Sequence, residues 1–253
     1  MTATSAAPHL REDLLTPRFY TTEIDKAART SLEEQRPLFE AMLQEAAADA
    51  GVSVTIVEKR MQGHTDIPLN AHGVMQADRL AKALLKTGQH FDCIYSSDLE
   101  RAFHTAKTIA ILQSLDVRIH PDLRERHVGK LQGLLLADAP RVEPELWQRH
   151  LARELDFDLG GGESIVQFHE RMQRMLNHFL VKHAGKQILA VSHGGALDMI
   201  YRIVTQQALN AERVAVVPNT SLNWITHDGN TWVIECWGDT SHLTDSVLDN
   251  IEI

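Results

Sequence analysis

The residues best placed for chemistry sit in short blocks, each just after a strand-like run. Ser192-His193-Gly194-Gly195 directly follows Ile188-Leu189-Ala190-Val191, so His193 is expected at a strand end where a helix begins. Gly194 and Gly195 permit close backbone approach, and a helix N-terminus favours an anion. Arg101 lies one turn into a second expected helix, behind Ser96-Ser97-Asp98-Leu99-Glu100. Its guanidinium either pairs with Asp98 or Glu100 or offers its planar fork to an oxyanion. Glu125 stands between Arg124 and Arg126 and reads as part of a solvated ion-pair cluster or as an acid in a cleft. Imidazole, guanidinium, carboxyl and helix N-terminus together suit binding an oxyanion and moving a proton.

The elements that must position these groups alternate. Val52–Val57 is a β-branched run with the character of a buried strand. Residues 73–86 carry Val74, Ala77, Leu80, Ala81, Leu84 and Leu85 at helical spacing. Strands are expected at 91–95 and 117–120, with a helix between them capped by Asp98 and carrying Ala102, Ala106, Ile109 and Ala110. The clearest helix spans 164–182, where Ile165, Phe168, Met172, Met175, Leu176, Phe179 and Leu180 form one stripe and Ser164 or Glu163 caps the start. A strand at 187–191 leads into a helix through Ile203, and strand-like runs at 213–217, 221–226 and 231–237 follow. This order predicts an α/β fold, with a mostly parallel sheet flanked by helices on both faces. Ligands of such sheets bind at the carboxyl ends of the strands, where the blocks above fall.

Bulk properties bound the partners. The chain has 253 residues, 43% hydrophobic and 23% charged, with a net charge of −9. That charge, with no basic stripe, argues against nucleic acid. No apolar stretch reaches membrane-span length, and no secretory signal is visible in residues 1–17, so the cytoplasm is expected. Cys93 and Cys236 lie in apolar, strand-like contexts and are expected to be buried free thiols. No cysteine spacing suits a metal, and neither a metal nor a cofactor is expected. Residues 1–50 read as a polar tail and a helical arm, and 51–253 as the α/β domain. Pro37 separates a short helix from one over about 36–50.

Five blocks in order resemble the histidine phosphatase (phosphoglycerate mutase-like) superfamily over about 52–243. They are Arg60-Met61-Gln62-Gly63-His64-Thr65-Asp66-Ile67-Pro68-Leu69-Asn70, Ser96-Ser97-Asp98-Leu99-Glu100-Arg101-Ala102, Leu123-Arg124-Glu125-Arg126, Gly162-Glu163-Ser164 and Ser192-His193-Gly194-Gly195. The resemblance implies Glu125 as proton donor and His193 as a second catalytic histidine touching the phosphoryl group. It implies phosphate contacts from Arg101, His193, Gly194 and Arg60, and a pocket rim of Gln62, Gly63, His64 and Thr65. The implied activity is hydrolysis of a small phosphorylated metabolite, with a homodimer left open. The region 132–160, rich in leucine with Trp147 and Phe157, is expected to form the substrate-choosing lid.

One family block is missing. The first strand of that family runs into Arg-His-Gly-x-Thr, whose histidine is the nucleophile. Here Val52–Val57 runs into Glu58-Lys59-Arg60, and no Arg-His-Gly occurs in the chain. His64 lies past a glycine on a different loop and is read as rim. The expectation is therefore an impaired or inactive phosphomonoesterase, with a non-catalytic binder of phosphate ligands or partners as the alternative. Residues 11–48 also resemble the start of the aerobic magnesium-protoporphyrin monomethyl ester cyclase, which suggests an accessory role in tetrapyrrole synthesis. That stretch offers Glu33, Glu34, Glu40 and Glu45 but no histidine, so no di-iron site is implied.

Overall fold

A computed structural model of the chain describes residues 59–243. The expected helical arm, the cyclase-like stretch and the Val52–Val57 strand lie outside the described residues. In chain order the elements are α1 (Ala71–Lys86), β1 (Cys93–Ser96), α2 (Glu100–Gln113), β2 (Val117–Ile119), α3 (Ala139–Val142), α4 (Pro144–Leu151), α5 (Ile165–His183), β3 (Ile188–Val191), α6 (Gly194–Thr205), β4 (Leu222–His227) and β5 (Trp232–Asp239).

β1 is the middle of a parallel three-stranded sheet of order β2-β1-β3. Ile94 pairs with Val117 on one side and Leu189 on the other. All four residues of β1 are buried, as a continuous apolar run covered on both faces requires. Alternation along the strand sends Ile94 to the layer of Leu80, Leu84, Ala106 and Ile109 from α1 and α2. Cys93 and Tyr95 point the other way, onto Met175 and Phe179 of α5. Helices therefore cover both faces, as expected. α5 also packs Met172 and Leu176 against Ala196, Met199 and Ile200 of α6. Each such buried side chain contributes about 1.5–3 kcal/mol through removal from water. β4 and β5 form an antiparallel pair.

The structure corrects four local expectations. α1 begins at Ala71, two residues early, because the Asn70 side chain accepts the Gly73 N–H at 2.8 Å. Asp98 does not cap α2. Leu99 holds the cap position, and Asp66, from the loop before α1, accepts the Glu100 N–H at 2.7 Å. Residues 213–217 bury Ala215 and Val217 and expose Val214 and Val216, yet join no ladder. Arg213 Nε instead bonds the Ala215 carbonyl within the segment itself. Cys93 is buried as expected, but Cys236 is only half-buried, and both are free thiols.

Candidate functional site

His193 ends the turn after β3 and takes the cap position of α6 in extended backbone. It is 7% exposed, and its Nε2 is buried with no hydrogen-bond partner. Burial pushes its pKa well below the usual value, and the charge of Arg101, with His64 and Arg171, pushes the same way. At neutral pH it is thus an uncharged imidazole with one buried nitrogen that makes no hydrogen bond among the described residues.

Arg101 makes neither of the local ion pairs open to it on sequence grounds. Its Nη1 donates to the Thr65 carbonyl and its Nη2 to the Gly63 carbonyl, both at 2.9 Å. Asp98 instead takes the Arg124 guanidinium in a fork, Nε to Oδ1 at 2.7 Å and Nη2 to Oδ2 at 2.5 Å. That bond first of all holds the Asp98 carboxyl below its ordinary pKa.

Glu125 is held from both ends. Its carboxylate accepts the Arg126 N–H at 2.7 Å and the Gly195 N–H at 2.8 Å. Its carbonyl accepts Arg171 Nη2 at 3.0 Å and lies 2.7 Å from His64 Nε2. A carbonyl only accepts, so His64 carries its proton on Nε2. The second contact at the α6 N-terminus is therefore an acid of the chain itself, where sequence reasoning placed only an incoming phosphate. A Cβ on Gly195 would collide with the Glu125 carboxylate, which explains a glycine there.

The rim follows the same contacts. Gly63 has φ of +51°, and a side chain there would strike Gln132 and Val128. The His64 N–H donates to Gln132 Oε1 at 2.7 Å, while Gln62 Oε1 is buried without a partner. Gly63, His64 and Thr65 are thus tied to Arg101 and Glu125. Arg60 lies apart from these ties: it is exposed, pairs as an isolated bridge with Leu135, and bonds the Gly133 carbonyl at 2.7 Å. Gly194 is buried, and its carbonyl accepts Arg213 Nη2 at 3.2 Å.

Sequence reasoning missed Arg171. It meets Glu163 in a two-pronged pair, both bonds 2.7 Å, and donates to the carbonyls of Asp122, Arg124 and Glu125. The signal was an arginine in the apolar stripe of α5, between Phe168 and Met172, where a buried charge demands a partner. Glu163 does not cap α5. Ser164 does, in a capping box with Gln167.

Beside these groups lies a cavity of about 450 Å³, lined by His64, His127, Gln167, Glu170, Arg171 and Arg174 among others. Arg101, Glu125 and His193 are not in its lining, which shares His64 and Arg171 with the contacts above. Leu134, Leu146, Trp147 and Phe157 of the expected lid pack on Val128, Leu131 and Leu159. Among the described residues, no helix is long and apolar enough to cross a membrane.

The structure thus joins a parallel α/β sheet, a buried neutral histidine at a helix start, a glutamate bonded to that helix's N-terminus and an arginine bracing the facing loop. The sequence profile of the histidine phosphatase superfamily (branch 1) matches residues 51–240, and the chain belongs to that family. It is 40% identical over 192 residues to phosphoglycerate mutase-like protein 4 of Arabidopsis thaliana, covering 75% of this chain and 82% of the relative. It is 37% identical over 190 residues to a metal-independent phosphoserine phosphatase of Arabidopsis thaliana, covering 73% and 76%. A mycobacterial glucosyl-3-phosphoglycerate phosphatase, solved with VO3, superposes with a TM-score of 0.65 at 26% identity, covering 72% of this chain and 92% of the neighbour.

Proposed function

We propose that this chain carries the phosphoryl-binding and proton-donating parts of a cytoplasmic histidine-phosphatase-type phosphomonoesterase for small phosphorylated metabolites. Its turnover is curtailed because the block with the covalent acceptor is missing between Val57 and Lys59. The observation that carries this reading is the buried, partnerless Nε2 of His193 within the field of Arg101, on the helix that also holds Glu125. His193 would contact the phosphoryl oxygens and Arg101 would hold both the rim and the anion, while water, in place of the missing histidine, attacks phosphorus as the P–O bond to the alcohol breaks. Glu125, in its protonated form, would give its proton to the leaving alkoxide, and the proton of the attacking water would restore it. The phosphatase names of the relatives support hydrolysis.

A second reading, a non-catalytic phosphate binder, is favoured by the missing Arg-His-Gly alone. Loss of a covalent nucleophile from a cooperating site costs on the order of 10⁴–10⁶ in turnover. Hydrolysis of p-nitrophenyl phosphate is therefore expected only slightly above background. Inserting Arg-His-Gly-x-Thr with its spacer after Val57 should raise the rate by several decades. No rise on insertion, with vanadate still bound, leaves the binder. Turnover of ~1–10³ per second without insertion overturns the impairment.

A further inference from the structure

Five residues beyond His193, about 7.5 Å along α6, a second group of cations gathers. Asp198 is the carboxylate at its centre. Arg202 Nε meets it at 2.9 Å, Arg213 Nε at 3.6 Å and Arg153 Nη2 at 4.0 Å. Arg153 donates to the Leu209 carbonyl and Arg202 Nη1 to the Ala208 carbonyl, so both tie the chain after α6 to its helix. Arg126 donates to the carbonyls of Glu163 and Phe157.

Those structural bonds do not account for the charge. Arg153, Arg202 and Arg213 all meet one carboxylate, that of Asp198, and Arg126 lies near Arg153 as well as near Glu163 and Glu125. Burial first, and then the Arg153 charge, lowers Arg126 to about 10, although Glu163 and Glu125 pull it upward. His150 is held at about 4 by burial and by Arg126 and Arg153. Arg202 has a fully buried side chain, yet its Nη2 has no hydrogen-bond partner, and neither does the buried His150 Nδ1. A buried guanidinium N–H without a partner, in a cluster where three arginines meet one carboxylate, is what a bound anion satisfies. Of these side chains Arg153 reaches solvent, at 27% exposed, while Arg202 is fully buried.

We propose that Arg126, Arg153, Arg202 and His150 form a second oxyanion site, taking a carboxylate or phosphate group that is either free or carried by the substrate. The site adjoins the first one, since the Arg126 N–H holds Glu125 and Arg213 holds the Gly194 carbonyl.

Isothermal calorimetry with sulfate tests it at constant ionic strength, on a chain bearing Arg101→Ala to weaken the His193 pocket. One saturable site in the millimolar range or tighter should remain, and adding Arg153→Gln should weaken it at least tenfold. His150→Gln gives a second reading should Arg153→Gln fail to fold. Vanadate affinity of the Arg153→Gln single variant should stay within twofold of the parent. A phosphomonoester bearing a carboxylate, compared with one lacking it, separates the sources. An affinity gain lost in Arg153→Gln means that the substrate brings the anion, and sulfate binding without such a gain means a free anion. No saturable sulfate binding in Arg101→Ala, or binding indifferent to Arg153→Gln and His150→Gln, overturns the proposal. Vanadate binding absent from the parent chain while sulfate still binds would remove the phosphatase reading and leave this site standing.

Discussion

The Gly195 N–H meets the Glu125 carboxylate at 2.8 Å across 70 positions of sequence, with no room for a Cβ between them. One missing methyl group thus lets the acid of the third block sit against the helix of the last. Gly195→Ala should push Glu125 out and cost ~1–3 kcal/mol of stability, the scale of overpacking a tight contact. Urea denaturation reads the loss, and an unchanged midpoint would mean that the loop gives way freely.

Arg101 braces the rim through two carbonyls and charges the pocket. Arg101→Ala should weaken vanadate or phosphate binding by ~1–3 kcal/mol, the scale for a charge-assisted contact. Calorimetry would show the change. Arg101→Lys should recover only part of it, since an ammonium cannot bridge the two carbonyls as a fork does.

The Arg171–Glu163 pair is buried, with side-chain exposures of 9% and 15%. Glu163→Ala would strand the guanidinium among three carbonyls, and removing one partner of a buried pair costs about 3–5 kcal/mol. A midpoint shift of that size is expected, together with weaker vanadate binding as the Glu125 backbone loosens. A loss well below this range would show that water replaces the carboxylate.

Acid should destabilise the fold through its buried histidines. Burial lowers the pKa of His64, His150 and His193 in the folded chain, His150 to about 4. Unfolded, each returns to about 6.5 and binds a proton that the native state refuses. Stability from these groups is fully present above pH 6.5 and falls as pH drops from there towards about 4. Urea midpoints between pH 7.5 and 4.5 should follow that slope, and His150→Gln should flatten it. A flat profile in the parent would show these imidazoles to be solvated.

The sequence by itself determined the elements and the order of the blocks. Periodicity marked α1, α2 and α5, Ser164 marked the start of α5, and short apolar runs marked β1 and β3, whereas the Asn70 cap of α1 came from the structure. Those signals act within about four residues, so a local reading captures them. It also placed His193 at a strand end and Arg101 within the first turn of its helix. Only the tertiary structure decided how the charges are spent. Asp98 turned from its own helix to Arg124, Asp66 capped that helix from a separate loop, and Arg101 took carbonyls in place of acids. The Glu125 carboxylate took an N–H of the α6 N-terminus, and Arg171 gathered the strands of backbone behind it. A charged group binds whichever unsatisfied partner lies nearest once the chain has closed on itself. Partners 26 to 70 positions apart become neighbours only when the sheet and its helices bring their loops to one edge.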